Sequence, residues 1–309
     1  MYYLYFVYNM DNNNNANSQD TDNNNANSQD TDYESITLET RIRDYVLTNK
    51  PFVHILTHCP EQTCHVQYTL SLMHSIELCK RVGIQLKIEF EKKEKNVSRA
   101  KNNMIARAMD NPEMTHIFMV DQNVQWNALD MLKLLIGDKP IIAGTPPIEH
   151  YNWSRIANDT DIVNKIISKK NSQSILKEMS PEFLLQCNML EYNVKFKSNT
   201  LSVNNNLVDV KMVSTAFMMV QKNVIEQMMK SFPSQKYKGK FDKDTQVQSY
   251  IYSVFNTTVE NDEYIPEDVV FCTKWENLKG KLYIDISIPL TTVNKEEYNG
   301  SFLVSVFNS

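Results

Sequence analysis

The stretch that decides the fold is THIFMVDQNVQW, residues 115–126. Its first half is an unbroken apolar run, which is typical of a strand buried on both faces of a parallel sheet. The run stops at Asp121. Because side chains alternate along an extended chain, Asp121 and Asn123 are expected to point the same way. Ligands of such sheets bind beyond the carboxyl ends of the strands, so this pair marks a candidate site.

Strand and helix patterns alternate on both sides of this stretch. The predicted order is a strand at 51–58, a helix through 70–80 that ends at Gly83, a strand at 84–90, a helix at 97–110, the strand at 115–120, a helix at 128–136 and a strand at 140–144. This alternation predicts an α/β fold with a parallel sheet covered by helices.

The second half of the chain is less regular. The predicted elements are a polar helix near 158–178, a hairpin at 195–210 that turns at Asn204–Asn206, a strand at 211–221, a helix at 223–232, a helix that starts near Pro266 and stops at Gly280, and a strand at 281–288. Turn residues between two β-rich runs predict the hairpin, and proline followed later by glycine brackets the late helix.

The first forty residues differ in composition from the rest. The block NNNANSQDTD at 13–22 recurs unchanged at 23–32. Such a polar repeat has nothing to bury, so residues 1–40 are predicted to be a disordered segment and residues 41–309 a single domain. The apolar run in 1–10 is too short to span a membrane, and it lacks the positive flank of a signal peptide. We therefore expect a soluble chain that is not secreted and has no membrane span.

Composition excludes several classes of protein. The chain has only six glycines, and they are far apart, so neither a dinucleotide-binding glycine fingerprint nor a P-loop is present. The acidic excess lies in 1–40, which contains no Lys or Arg, and the remainder is nearly neutral. That balance predicts no nucleic-acid partner. Five cysteines, an odd number, argue against a secreted disulfide framework.

Two groups of residues suggest metal chemistry. Oxygen ligands at Asp121 and Asn123 suit a divalent ion, Mg or Mn, that bridges a diphosphate. The segment HCPEQTCH at 58–65 contains four residues of the types that bind zinc. Adjacent His and Cys side chains do not easily all point inward, however. We therefore expect that loop, which leaves the carboxyl end of a strand, to border the base of a bound nucleotide rather than to hold zinc.

Six segments in order resemble the GT-A-fold glycosyltransferases of large DNA viruses, phages and bacteria. They are VSRAKN (97–102), THIFMVDQN (115–123), IIAGTPP (141–147), VSTAFMMVQKNV (213–224), PEDVVFCTKW (266–275) and GKLYIDISIPLTTV (280–293). The resemblance covers roughly residues 52–300. It implies a mixed, mainly parallel sheet with helices on both faces, and transfer of a sugar from a nucleotide-sugar donor.

The resemblance also implies roles for six residues. Asp121 matches the first acid of the family's Asp-x-Asp pair, which binds the metal and the donor, and Asn123 stands at the second acid. Arg99 and Asn102 match residues of a helix near the donor nucleotide. The pair Glu267 and Asp268 matches acids that handle the acceptor. The alternatives are a turn or cap acid at Asp121, a solvated helix face at Arg99 and Asn102, and first-turn helix acids at 267–268.

The chain departs from the family near this site. Thr292 stands where a metal-binding His is common, Glu149 stands near the place of a Lys, and Ala216 replaces a glycine. Asn123 lacks the full charge of an acid, so affinity for a divalent cation is expected to be lower than in the family. Without metal, Arg99 or Lys101 would supply the counter-charge for a phosphate.

These observations lead to two main hypotheses. The first is a glycosyltransferase that uses a UDP- or GDP-sugar donor and a glycan or protein acceptor, in the host cytoplasm or virion if the chain is viral. The second is a GT-A-like domain with weak or no catalysis that binds nucleotide sugars or glycans. An unrelated α/β domain with a chance Asp-x-Asn pair is the third.

Overall fold

The computed structural model describes residues 28–159, 161–172, 176–198, 202–239, 246–294 and 297–307. Most of the segment predicted to be disordered, residues 1–27, lies outside the described residues. Contacts divide the chain into two units, Met1–Arg41 and Ile42–Ser309. No helix in the described part of the chain combines the length and apolar character needed to cross a membrane.

The helices are distributed along the whole described chain. They are α1 (Ser28–Asn49), α2 (Val66–Val82), α3 (Val97–Met109), α4 (Ala128–Ile136), α5 (Ser154–Asn158), α6 (Ile162–Ser172), α7 (Pro181–Met189), α8 (Lys222–Ser231), α9 (Glu267–Asn277) and α10 (Phe302–Phe307). Short 3₁₀ turns lie at Pro233–Gln235 and Gln246–Tyr250.

The strands in the described residues belong to one large sheet and three small ones. They are β1 (Phe52–Cys59), β2 (Gln85–Lys92), β3 (His116–Val120), β4 (Val124–Gln125), β5 (Ile141–Ala143), β6 (Pro147–Tyr151), β7 (Leu190–Tyr192), β8 (Lys195–Phe196), β9 (Val203–Asn204), β10 (Leu207–Met212), β11 (Phe217–Gln221), β12 (Thr258–Glu260), β13 (Glu263–Ile265), β14 (Leu282–Asp285), β15 (Pro289–Val293) and β16 (Glu297–Ser301).

The large sheet confirms the predicted mixed, mainly parallel α/β fold. Its order is β2-β1-β3-β11-β5-β14-β10-β8, and β9 pairs with β10. All of these strands except β10 and β11 run in one direction. The strands β3 and β5 are buried at every position, so both faces of the sheet are covered.

The predicted single strand at 211–221 is wrong. Its first part ends β10 at Met212, its last part is β11, and residues 213–216 connect them outside both strands. Strand β11 runs antiparallel between β3 and β5. An unbroken β-rich run does not reveal this break, because both halves are equally buried. The reversal places the start of β11 at the same edge as the ends of β3 and β5.

Helix α1 runs through the predicted boundary at residue 40. It begins at Ser28, so residues 28–40, for which disorder was predicted, are helical. Ile42 and Val46 lie four residues apart on this helix and are only 3% and 8% exposed. Their burial stabilises the helix beyond its intrinsic propensity. The polar repeat ends at residue 32, inside the helix. The helix therefore begins in sequence whose composition is still that of the repeat.

Helix α2 packs through small polar residues against the segment that follows β3. The Ser71 hydroxyl donates to the Trp126 carbonyl at 2.8 Å, and the Trp126 indole donates to Ser75 Oγ at 2.9 Å. Leu72 and Leu78 of the same helix are also buried, whereas Leu70 and Met73 are exposed, at 49% and 59%. The helix ends at Gly83, as predicted, because that residue adopts a left-handed φ of 84°.

Candidate functional site

An open cleft of about 520 Å³ lies at the carboxyl edge of the large sheet. Its floor and walls come from the ends of β1 and β3, the segment before β11, and the first turns of α3 and α9. The lining residues are His58, Pro60, His65, Lys95, Val97, Lys101, Asp121, Gln122, Asn123, Glu149, Ser214, Thr215, Glu267, Asp268 and Asn294. The cleft therefore lies at the edge of the sheet where the sequence predicted a site.

Asp121 follows β3 and opens into this cleft. Its backbone N–H donates to the Ala216 carbonyl at 3.1 Å, which fixes the chain as it leaves the strand. The surrounding protein raises the pKa of the Asp121 carboxyl by desolvation, while the positive charge of Lys101 acts to lower it. The charges of Glu267 and Glu149 raise this pKa further. A cationic group bound here would stabilise the ionised form of Asp121.

Asn123 is held by a neighbouring acid. Its Nδ2 donates to Glu149 Oε1 at 2.6 Å, and the Asn294 amide donates to the other oxygen of the same carboxylate. The backbone carbonyl of Asn123 also accepts a hydrogen bond from the Val293 N–H at 2.8 Å. A carboxylate is thus present beside Asp121, but it comes from Glu149 rather than from position 123. Sequence reasoning noted Glu149 only as a departure, since nothing in the sequence places it next to Asn123.

Lys101 joins two sides of the cleft. Its ammonium lies 2.8 Å from Glu267 Oε1 and 5.4 Å from the centre of the Phe255 ring. Although partial burial acts in the opposite direction, the charge and hydrogen bond of Lys101 lower the pKa of Glu267. Helix α9 begins at Glu267, and its N-terminal dipole also favours an anion there.

Asp268 follows Glu267 in the first turn of α9. Burial raises its pKa, Lys101 opposes that shift, and the charge of Glu267 adds to it. Its Oδ2 accepts a weak hydrogen bond from Asn193 Nδ2 at 3.4 Å. The two carboxyl groups of this pair have pKa values shifted in opposite directions, which is a common arrangement where one acid exchanges a proton and the other stays ionised.

The structure separates Arg99 and Asn102 from the residues that line the cleft. Arg99 is largely exposed and forms an ion pair with Glu94, with an Nη2–Oε1 distance of 2.8 Å. Asn102 is buried, its Nδ2 donates to the Phe255 carbonyl at 2.7 Å, and its Oδ1 accepts from the Phe255 N–H at 2.9 Å. Both polar ends of Asn102 are occupied, so it connects α3 to the chain near Phe255 rather than to a ligand. Lys101 lines the cleft together with Val97, four residues earlier on the same helix, because neighbouring helix positions point in different directions.

Thr292 and the segment at 58–65 also have defined contacts. The Thr292 hydroxyl donates to the Pro147 carbonyl at 2.6 Å and is buried, so it connects β15 to β6. His58 Nε2 lies 2.5 Å from the Glu94 carbonyl, and the Cys59 and Cys64 sulfurs lie 3.3 Å apart. Within the described residues, no three His, Cys, Asp or Glu side chains form a group that could hold a metal ion.

Comparisons with known proteins find similarity to solved structures but not to any family model. No protein-family model matches the chain, and no curated protein matches it. The crystal structure of A197 from STIV is similar, with 9% sequence identity and a TM-score of 0.40. That match covers 78% of this chain and 85% of the other. The function of the chain is therefore inferred from the chemistry of its cleft.

Proposed function

We propose that the chain is a glycosyltransferase that moves a sugar from a nucleoside diphosphate sugar to an acceptor hydroxyl. The observation that carries this proposal is that Asp121 and the adjacent pair Glu267 and Asp268, which come much later in the chain, line one cleft at the carboxyl edge of the sheet. An acid suited to donor binding and an acid suited to proton exchange thus face the same space.

Asp268 is the proposed general base. A base must lose its proton at neutral pH and still be basic enough to accept one from a hydroxyl group, and a raised carboxyl pKa improves that balance. Burial supplies this shift at Asp268. Glu267 stays ionised beside Lys101 and orients the acceptor through its carboxylate oxygens.

The charge of the cleft bears on how a diphosphate is held. The lining includes four carboxylates, at Asp121, Glu149, Glu267 and Asp268, against two lysines, Lys95 and Lys101. This excess of negative charge repels a diphosphate unless a cation offsets it. Oxygen atoms of Asp121, Glu149 and Asn123 match the preference of Mg²⁺ or Mn²⁺. These residues would hold the cation, which would offset charge on the leaving diphosphate.

The proposal is tested by offering the full chain a panel of UDP- and GDP-sugars, with and without Mn²⁺. Binding is followed by calorimetry, and release of free sugar is followed as donor hydrolysis. We expect saturable binding of one donor class that tightens with Mn²⁺, together with slow hydrolysis. Asp121→Asn should weaken binding at least tenfold. Glu77→Gln, on an exposed face of α2, is the matched control and should bind as the wild type does.

The second candidate is a binding module that transfers no sugar. It is favoured by the contacts of Glu149, whose two oxygens are already bonded to Asn123 and Asn294, so this acid is satisfied without a cation. Saturable donor binding whose affinity is the same with and without Mn²⁺, together with no released or transferred sugar, would support the binding module over the enzyme. No binding of any donor in the panel would contradict both.

A further inference from the structure

Two cysteines meet at the rim of the cleft. Cys59 is the last residue of β1 and is only 2% exposed, whereas Cys64 lies in the following loop and is partly exposed. Both are free thiols, and their sulfur atoms are 3.3 Å apart. The two thiols therefore lie in direct contact, with one of them accessible to solvent.

A tight turn produces this contact. The Gln62 N–H donates to the Cys59 carbonyl at 2.9 Å, Pro60 follows Cys59, and Gln62 has a left-handed φ of 63°. Proline at the second position is typical of such turns. The turn reverses the chain, so Cys64 returns to the end of β1. A disulfide bond is about 2.05 Å long, so bond formation needs the sulfurs to approach by only roughly 1.3 Å.

Two other cysteines have different surroundings. The Cys187 sulfur accepts a hydrogen bond from the Ser301 N–H at 3.3 Å, and the Cys272 thiol donates to the Val213 carbonyl at 3.6 Å. Both are buried. Their thiols contact backbone groups, and neither residue is open to a reagent in the folded chain.

We propose that Cys59 and Cys64 form a reversible disulfide, which makes this turn a site of covalent modification by thiol oxidants. The oxidant class is a small disulfide, RSSR. The exposed thiol of Cys64 loses its proton, attacks one sulfur of RSSR and releases RS⁻, leaving a mixed disulfide on Cys64. Cys59 then loses its proton and attacks the Cys64 sulfur, and the second RS⁻ leaves. Two electrons pass to RSSR, and the two thiol protons go to the released thiolates.

The order of attack follows from the surroundings of the two thiols. Burial, together with Cys64 and the negative charge of Asp121, raises the pKa of Cys59 to about 12. Cys59 is therefore a poor first nucleophile, and it reacts only after Cys64 has been activated beside it. The disulfide would change one wall of the cleft. Pro60 and His65 line that wall, and the His65 N–H donates to the Gln122 carbonyl at 3.1 Å, one residue after Asp121.

The test uses the full folded chain in a series of oxidised and reduced hydroxyethyl disulfide mixtures. Free thiols are trapped by acid quenching and alkylation, and the peptides are mapped by mass spectrometry. We expect Cys59 and Cys64 to lose alkylation together, with a mass lower by two hydrogen atoms and with full recovery after dithiothreitol. A persistent mixed disulfide on Cys64, or alkylation of both residues at every ratio, would overturn the proposal.

Two variants distinguish the first attack from the second. If one variant fails to fold, the other still tests the proposal. Cys59→Ala should stop at the mixed disulfide on Cys64, because the second thiol is missing. Cys64→Ser, at the partly exposed position, should take up no reagent at Cys59. Cys272→Ala is the matched control and should form the 59–64 bond as the wild type does. Uptake of reagent at Cys59 in Cys64→Ser would contradict the assigned order of attack.

Discussion

Lys101 on α3 and Glu267 at the start of α9 are 166 residues apart in the chain and form an ion pair of 2.8 Å. Their side chains are 8% and 18% exposed, so water screens the pair only partly. This contact brings together two walls of the cleft. It also sets the charge of the acid that lies next to the proposed base.

Removing the cation of this pair should destabilise the fold in a pH-dependent way. Lys101→Met leaves Glu267 without its partner, and we expect a loss of about 2 kcal/mol in the free energy of unfolding at neutral pH. Because the pKa of Glu267 is lowered in the folded state, its contribution is present above its unfolded value of 4.5 and is lost as the pH falls through the folded value. The difference between variant and wild type should therefore shrink in acid.

Urea unfolding of both proteins between pH 3 and 7 measures this effect. Lys95→Met is the control, because Lys95 also lines the cleft but is exposed. A stability difference between Lys101→Met and wild type that stays constant over this range would show that the pair does not control the ionisation of Glu267.

Asn123→Asp should make the fold depend on divalent cations. The substitution replaces the donor to Glu149 with a second carboxylate at close range, so in the absence of metal we expect a loss of about 1–3 kcal/mol. Mn²⁺ should restore part of that loss, since the acids at positions 121, 123 and 149 would then share a cation. Thermal unfolding with and without Mn²⁺ measures the response. The double variant Asp121→Asn/Asn123→Asp serves as the control and should lose it, and an equal response in the two variants would place Asp121 outside the cation site.

His116 should make the protein sensitive to mild acid. Burial lowers the pKa of this residue from 6.5 to about 4. Between these values the unfolded chain binds a proton that the folded chain excludes, so stability falls as the pH decreases, by about 3 kcal/mol in total. His116→Gln should remove this dependence, whereas His74→Gln on an exposed part of α2 should keep it. Chemical unfolding across pH 4–7 provides the comparison, and an unchanged slope in His116→Gln would contradict the assignment.

Lys274 should be essential for the packing of α9. Its ammonium is buried, and its three N–H groups are shared among four acceptors: Gln235 Oε1 at 2.9 Å, the carbonyls of Ser253 and Val254 at 2.8 and 3.1 Å, and the Asn256 side chain. Lys274→Met leaves these acceptors without a donor, so we expect a loss of about 3 kcal/mol. Lys279→Met, at an exposed position, should cost less than 1 kcal/mol. Equal unfolding midpoints in denaturant for the two variants would show that water replaces the ammonium as the hydrogen-bond donor to these acceptors.

Much of the fold follows from local patterns in the sequence. The apolar run at 115–120 is β3, the glycine at position 83 ends α2 in a left-handed conformation, and the predicted hairpin turns at Asn205 and Asn206, which both have positive φ. Each of these depends on a few neighbouring residues. The break at 213–216 does not depend on neighbouring residues. It arises because β10 pairs with β14 and β11 pairs with β3, and both partners are distant in sequence.

The site was less predictable than the fold. Asp121 is predicted from its position at a strand end, Glu267 and Asp268 are implied by the family resemblance, and all three line the cleft. Lys101 was named only as an alternative counter-charge, and Arg99 and Asn102 were preferred, because sequence spacing does not give the rotation of a helix against its neighbours. Glu149 reaches Asn123 across 26 residues through β6, a contact that no local pattern encodes.

Strand β11, which runs antiparallel to β3 and β5, affects when the cleft forms during folding. The segment just before it supplies Ser214 and Thr215, the neighbouring strands supply their ends, and α9 adds two acids from much later in the chain. No contiguous fragment of the sequence carries the whole set. During folding, the cleft is complete only after these distant segments have paired, which is a slow class of event. A ligand of the cleft would therefore bind only the fully folded chain, so ligand binding would measure the fraction of molecules that have completed folding.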